Sequence, residues 1–182
     1  MSSARREALL GALGTYPVES AYDESAVSRI RTFLACADPF RRSDPVGHVT
    51  ASAIVTRPSA DGFLLVFHRK VDRWLQPGGH VEPSDASVFE TALREAREET
   101  GIERLESPLG DAILDLDVHP IPAFGTEPAH VHYDVRYLLT TEDGGALAPG
   151  AAWFALADVA GVDRDGSLDR AIHKAVANVS AR

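Results

Sequence analysis

The sequence predicts an α/β fold, a sandwich built on a mixed sheet with a helical segment in front of it. Three observations predict it. Apolar residues recur at helical spacing up to Ala37 and at strand spacing from Val46 onward. Two later segments, 112–119 and 130–137, alternate apolar and polar residues cleanly. Helical patterns stand before, between and after the strands, an order that suits layers of helix on sheet.

Residues 5–13 predict a short helix, and Asp23 to Ala37 a better one, with Val27, Ile30, Phe33, Leu34 and Ala37 as its apolar stripe. "DPFRRSDPVG" then breaks the chain with two prolines, which places a boundary between residues 1–45, a helical extension, and a main domain over 46–182. "HVTASAIVT" and "FLLVFHR" read as strands joined by the turn "RPSADG". "RWLQPGGHVE" has a Pro-Gly-Gly break with a short extended piece on either side. Residues 87–100 form a helix that Gly101 ends. In "AILDLDVH", Ala112, Leu114, Leu116 and Val118 share one face, and Asp115, Asp117 and His119 the other. In "HVHYDVRY", Val131, Tyr133, Val135 and Tyr137 oppose His130, His132, Asp134 and Arg136. "AAWFAL" is a last strand and "SLDRAIHKAVANV" a closing amphipathic helix.

A formal charge of −9 over 182 residues argues against general nucleic-acid binding and against anionic membranes, both of which favour basic surfaces. It permits a small phosphorylated partner, because a bound cation reverses the local sign. The single cysteine, Cys36, excludes an intramolecular disulfide and a cysteine-rich zinc site. The basic start "MSSARREALLGALG" is short in apolar residues and broken by glycines, so it makes a poor signal peptide. No stretch reaches the ~18 apolar residues of a membrane span. The sequence therefore predicts a cytoplasmic protein with no membrane partner.

"LREAREETGI" carries the chemistry. Glu95, Glu98 and Glu99 stand at i, i+3 and i+4, so a helix brings all three carboxylates to one face. Like charges at that spacing cost roughly 0.2–0.5 kcal/mol per pair. Either solvent screens them or a cation faces them. Three hard oxygen donors suit Mg²⁺ or Mn²⁺. The glycine pair before the helix lets backbone approach a ligand closely, and the Gly79 carbonyl is a further candidate donor.

Read as a whole, "GGHVEPSDASVFETALREAREETGI" resembles the box of the Nudix hydrolase family. Arg94, Glu95, Ala96, Glu98, Glu99, Gly101 and Ile102 match its second half, and Gly79 its opening glycine. The resemblance spans roughly residues 46 to 160. It implies a Nudix-type α/β/α sandwich and divalent-metal-dependent hydrolysis of a phosphoanhydride in a nucleoside diphosphate linked to another moiety. Gly79, Glu95, Glu98 and Glu99 would hold the metal, and Arg94, Glu98 and Glu99 would serve catalysis. One position departs: where the family has Glu, Asp85 stands, with eight residues rather than seven before Arg94. That family residue braces the box arginine, and here Asp85 and Glu82 are both candidates. A prenyl-diphosphate isomerase on this fold would need a cysteine in "RWLQPGG", which has none. A non-catalytic nucleotide-binding module usually loses the helix glutamates, and this chain keeps all three.

Other groups are less specific. His130 and His132, on alternate residues of one strand, suit a general base, a phosphate contact or a second metal site. If "DLDVH" is the neighbouring strand, Asp115, Asp117 and His119 join them. We count His132 with the catalytic candidates, and His130, His80, Arg69 and Arg73 with the substrate-binding ones. Trp74 and Trp153 read as core or as base-stacking groups. His48 and His173 read as structural or surface residues. The N-terminal helices could make or block a homodimer interface.

Overall fold

The structure, a computed structural model, describes residues 2–159, 161–162 and 166–180. Two helices, α1 (Ser2–Thr15) and α2 (Ala21–Phe33), precede strands β1 (Gly47–Thr56), β2 (Gly62–His68), β3 (Arg73–Leu75) and β4 (Gly78–His80). Helix α3 (Val88–Thr100) follows, then β5 (Asp115–Ile121), β6 (His130–Thr140) and β7 (Ala151–Ala155). A single turn, α4 (Leu156–Val159), and helix α5 (Ser167–Ser180) close the described chain. No helix among the described residues is long and apolar enough to cross a membrane.

β1 is the spine of the sheet. It runs parallel to β6 along its whole length, and β5 adds antiparallel to β6. On its other edge β1 pairs with β2 only at Val55 and Thr56, then with β4 at Thr50, Ala51 and Ser52. β2 meanwhile goes on to β3, with β7 on its far side. The two long strands therefore fork, and the β3–β4 segment fills the fork. Gly78 is obligatory there, since a Cβ would strike Ser52 and the Ala51 carbonyl.

Strand alternation divides the core. Val49, Ala51, Ala53 and Val55 face α1, α2 and α3, joined by Val135, Tyr137, Ala92, Ala96, Leu13 and Ile30. Ile54, Phe63, Leu65 and Leu138 face α5 through Leu168, Ala171 and Ile172. Helices α1 and α2 thus share a core with the sheet. Tyr133 stacks on Phe33 at 4.1 Å between ring centroids. Helix α2 also covers the edge strand β5: Tyr22 Oη donates to Asp117, and Arg29 donates to the Val118 carbonyl at 3.3 Å. That contact satisfies groups an open sheet edge would expose.

Some boundaries and faces differ from the sequence expectation. Helix α2 stops at Phe33 because Ala35 and Cys36 bond three residues back and tighten the last turn; Ala37 is exposed. β5 begins at Asp115 rather than Ala112. The polar face of β5 and β6 is not uniformly solvated either. Arg136, 2% exposed, pairs with Asp115, Asp117 and Asp134 at 3.1–3.3 Å, under cover of Arg170 and Lys174 from α5. Lys174 also reaches Asp23 and Tyr16 at 2.6 Å, tying the N-terminal helices to the C-terminal one.

Candidate active site

Helix α3 starts at Ser87, whose hydroxyl accepts from the Glu90 N–H at 3.1 Å, and ends at Gly101 in the left-handed region (φ 77°). Val88, Ala92 and Ala96 bury one stripe against the sheet. Arg94, Glu95, Glu98 and Glu99 are left toward β4 and solvent. Glu99 accepts from the Gly78 N–H at 3.0 Å. A Cβ at Gly79 would run into the Glu95 carboxylate, so helix and strand approach as closely as glycine permits.

Arg94 organises this corner. Its Nε and Nη2 donate to the two oxygens of Asp85, each at 3.0 Å, and Nη2 also donates to the His80 carbonyl at 3.0 Å. Nη1 donates to Glu95 at 2.9 Å and Glu98 at 3.3 Å. Part of the like-charge repulsion within α3 is therefore answered from inside the chain. Burial nevertheless pushes the Glu95 and Glu99 carboxyls above their usual range. Such groups carry charge more readily once a cation stands before them. A divalent ion fits the donors: hard carboxylate oxygens on one helix face, with the Glu98 side chain 61% exposed and open to the approach.

Beside this corner lies a cavity of about 1110 Å³, lined by Gly78, Gly79, His80 and Val81 but by none of the three glutamates. Arg41, Arg42 and Lys70 line it, the two arginines paired with Asp44 and Glu127 at 3.4 and 3.3 Å, and Phe40 and Phe124 supply aromatic surface. Five histidines converge on its floor: His48, His80, His119, His130 and His132. The register explains this. β1 and β6 pair His48 with His132, β5 and β6 pair His119 with His132, and β1 and β4 pair Thr50 with His80. Burial, chiefly, lowers His48 and His80 to about 4 and His132 to about 2, and neighbouring imidazoles add to the effect. His119 departs upward: burial opposes its charge, but its bond to Asp117 at 2.8 Å prevails.

The sequence also matches the NUDIX domain model over residues 46–175. The chain belongs to the Nudix family. A C. elegans Ap4A hydrolase shares the fold at 22% identity and a TM-score of 0.50, covering 71% of this chain and 96% of that one. The E. coli dihydroneopterin triphosphate pyrophosphohydrolase does so at 16% identity and a TM-score of 0.54, covering 75% and 97%. No curated protein matches the sequence.

Within the Nudix box, Asp85 takes the bracing position. It lies on the longer loop, accepts from Arg94, and also accepts from the Glu82 N–H and the Thr91 hydroxyl at 2.8 Å. Glu82 stays exposed. Of the expected substrate contacts, His80 and His130 line the cavity; Arg69 and Arg73 do not. Arg69 opens the turn after β2, one residue from His68 and Lys70, which do line it, and Arg73 begins β3 at the end far from Gly78. Trp74 packs on Phe154 at 4.9 Å, and Trp153 lies under the Arg57 guanidinium at 4.8 Å, so both are structural. His173 is exposed beside Asp169.

The sequence reads His48 only as a structural or surface residue and misses its place beside His130 and His132. The period-2 pattern of "HVTAS" places it on one face with Thr50 and Ser52, but only the parallel pairing with β6 brings it to His132. Arg5 was missed as well. From α1 its guanidinium donates to the Glu82, Pro83 and Asp85 carbonyls, holding the loop that carries the brace.

Proposed function

We propose that this Nudix protein hydrolyses a phosphoanhydride bond in a nucleoside diphosphate linked to a second group, with Mg²⁺ or Mn²⁺ held by Glu95, Glu98, Glu99 and the Gly79 carbonyl. The observation that carries the reading is the glutamate face of α3 closed against Gly78 and Gly79, two glycines that also line the large cavity. A divalent ion bound there would supply charge neutralisation of the pyrophosphate and a more acidic bound water.

The chain's own residues do the rest. Arg94, fixed by Asp85 and the His80 carbonyl, keeps Glu95 and Glu98 in position. Arg41, Arg42 and Lys70 attract and orient the phosphates. Phe40 and Phe124 offer faces for a base. His80, neutral at pH 7, presents a polar edge to the substrate without charge repulsion from the neighbouring cations. At about 1110 Å³ the cavity exceeds the roughly 300–1,000 Å³ of ordinary ligand pockets, which favours a nucleotide carrying a further group.

The test is turnover of sugar nucleotides, dinucleoside polyphosphates and ADP-ribose with Mg²⁺ and with Mn²⁺, comparing wild type with Glu98→Gln. Metal-dependent release of nucleotide, reduced at least about a hundredfold in the variant, supports the reading, on the scale of losing one charge-stabilising group. A variant as active as wild type would remove the metal site from α3.

A further inference from the structure

We infer that His48, His130 and His132 form a binding site for a divalent transition-metal ion of the zinc class, separate from the α3 carboxylates. Candidate ligand atoms of these three side chains all lie within 4.8 Å of one another, and among the described residues this is the group so gathered. The site does not depend on the hydrolase reading and goes beyond it.

Three observations converge. The first is His48 itself. It is 1% exposed, and neither Nδ1 nor Nε2 has a hydrogen-bond partner. An imidazole buried in that state leaves a donor or a lone pair unused at both nitrogens, which native interiors rarely tolerate without an ion or water. Its ring centroid stands 4.7 Å from that of His132 and 5.1 Å from that of His130.

The second is the tautomer of His130. Its Nδ1 lies 2.9 Å from the Pro128 carbonyl, which can only accept, so Nδ1 carries the proton. In the neutral ring Nε2 is then a lone pair. Metal-bound histidines are commonly oriented by such a second-nitrogen bond to a carbonyl.

The third is spacing. His130 Nε2 lies 3.2 Å from His132 Nε2. Two imidazole nitrogens on one tetrahedral zinc, each at about 2.0–2.1 Å, stand about 3.4 Å apart. A hydrogen bond from His132 to His130 would account for that one contact, but it leaves His48 unpartnered. One ion engages all three rings once the widest pair of nitrogens, now within 4.8 Å, draws in to that spacing by side-chain rotation.

The donor type decides the ion. Imidazole nitrogens favour Zn²⁺ and its first-row neighbours, whereas Mg²⁺ prefers oxygen. Three histidines also leave a fourth position for water or an anionic oxygen, the arrangement of open zinc sites. In this arrangement His132 is a metal ligand and not a free general base.

The experiment uses full-length protein stripped with a chelator, loaded with Zn²⁺ or Co²⁺ and desalted. Wild type should retain one tightly held equivalent, and the Co²⁺ form should show the intense visible bands of tetrahedral coordination. His130→Ala and His132→Ala, both partly buried positions outside the hydrophobic core, should each weaken binding by more than about a hundredfold, since even an outer-shell partner is worth about 10–100-fold. His48→Asn should do the same, with circular dichroism confirming the fold of every variant. Glu98→Gln should retain the ion in full. No retained zinc in wild type, or equal retention in folded histidine variants, would overturn the site. So would loss of the zinc in Glu98→Gln with the histidine variants unaffected, which would put the ion on α3. Turnover plays no part in these readouts, so the fate of the hydrolase reading stays distinguishable.

Discussion

Arg94 and Asp85 form a two-pronged ion pair, Nε to Oδ1 and Nη2 to Oδ2, both at 3.0 Å. The pair joins the loop before α3 to the helix itself. Asp is one methylene shorter than the Glu usual in this box, and the loop that carries it is one residue longer. The two changes compensate, because the extra backbone advances the shorter side chain.

Asp85→Asn should therefore destabilise the protein, whereas Glu82→Gln should not. Breaking a buried pair typically costs about 3–5 kcal/mol, and here about 2–3 kcal/mol is expected, since Arg94 keeps Glu95 and Glu98 as partners. Urea unfolding of the two variants beside wild type measures the difference. Equal midpoints for Asp85→Asn and Glu82→Gln would refute the assignment.

Arg5 holds the same loop from α1 through three carbonyls. Arg5→Ala should cost about 2 kcal/mol, the range for hydrogen bonds to a charged donor. Amide exchange at residues 82–86 should quicken selectively. Uniform quickening across the chain would mean that the loop is not the point of attachment.

Gly79→Ala should leave the protein folded and impair turnover, because the new methyl displaces the Glu95 carboxylate rather than backbone. A misplacement on this scale costs up to about a hundredfold in rate. Gly11→Ala is the control. Gly11 lies inside α1 with nothing within 4 Å of its virtual Cβ, so alanine there should stabilise by about 0.5–1 kcal/mol without touching activity. Comparable activity in the two variants would contradict the packing of Glu95 on β4.

Asp23 gives a pH dependence. Burial opposes its charge, but Lys174, Ser20 and Tyr16 together lower its carboxyl to about 2. A depressed folded-state value means that the stabilisation is complete above the unfolded value of about 3.8 and is lost as pH falls toward 2. The amount is about 2 kcal/mol. Wild-type stability should decline between pH 4 and pH 2 more steeply than that of Asp23→Asn, as read by urea unfolding at each pH. Parallel curves would show that Asp23 does not titrate in this window.

Local signals were legible where the physics is local. The helix period and the Gly101 stop mark α3, and the i, i+3, i+4 spacing alone brings Glu95, Glu98 and Glu99 to one face. Alternation assigns Val135 and Tyr137 to one side of β6, and Asp134 and Arg136 to the other. It does not say which polar side is wet. Asp115 and Arg136 are buried because α5 folds back with Arg170 and Lys174, a contact made far along the chain.

By itself, then, the sequence determined the family box, the order of the main helices and strands and, within α3 and β6, the face on which a side chain stands, since these follow from backbone periods of a few residues. Tertiary structure alone decided that Asp85 and not Glu82 braces Arg94, that Lys70 and not Arg69 reaches the cavity, and that His48 meets His130 and His132. Those outcomes depend on strand register, on the fork between β1 and β2, and on the closure of distant loops. No local period encodes them, because each is set by residues that lie far apart in the chain and meet only when the sheet assembles.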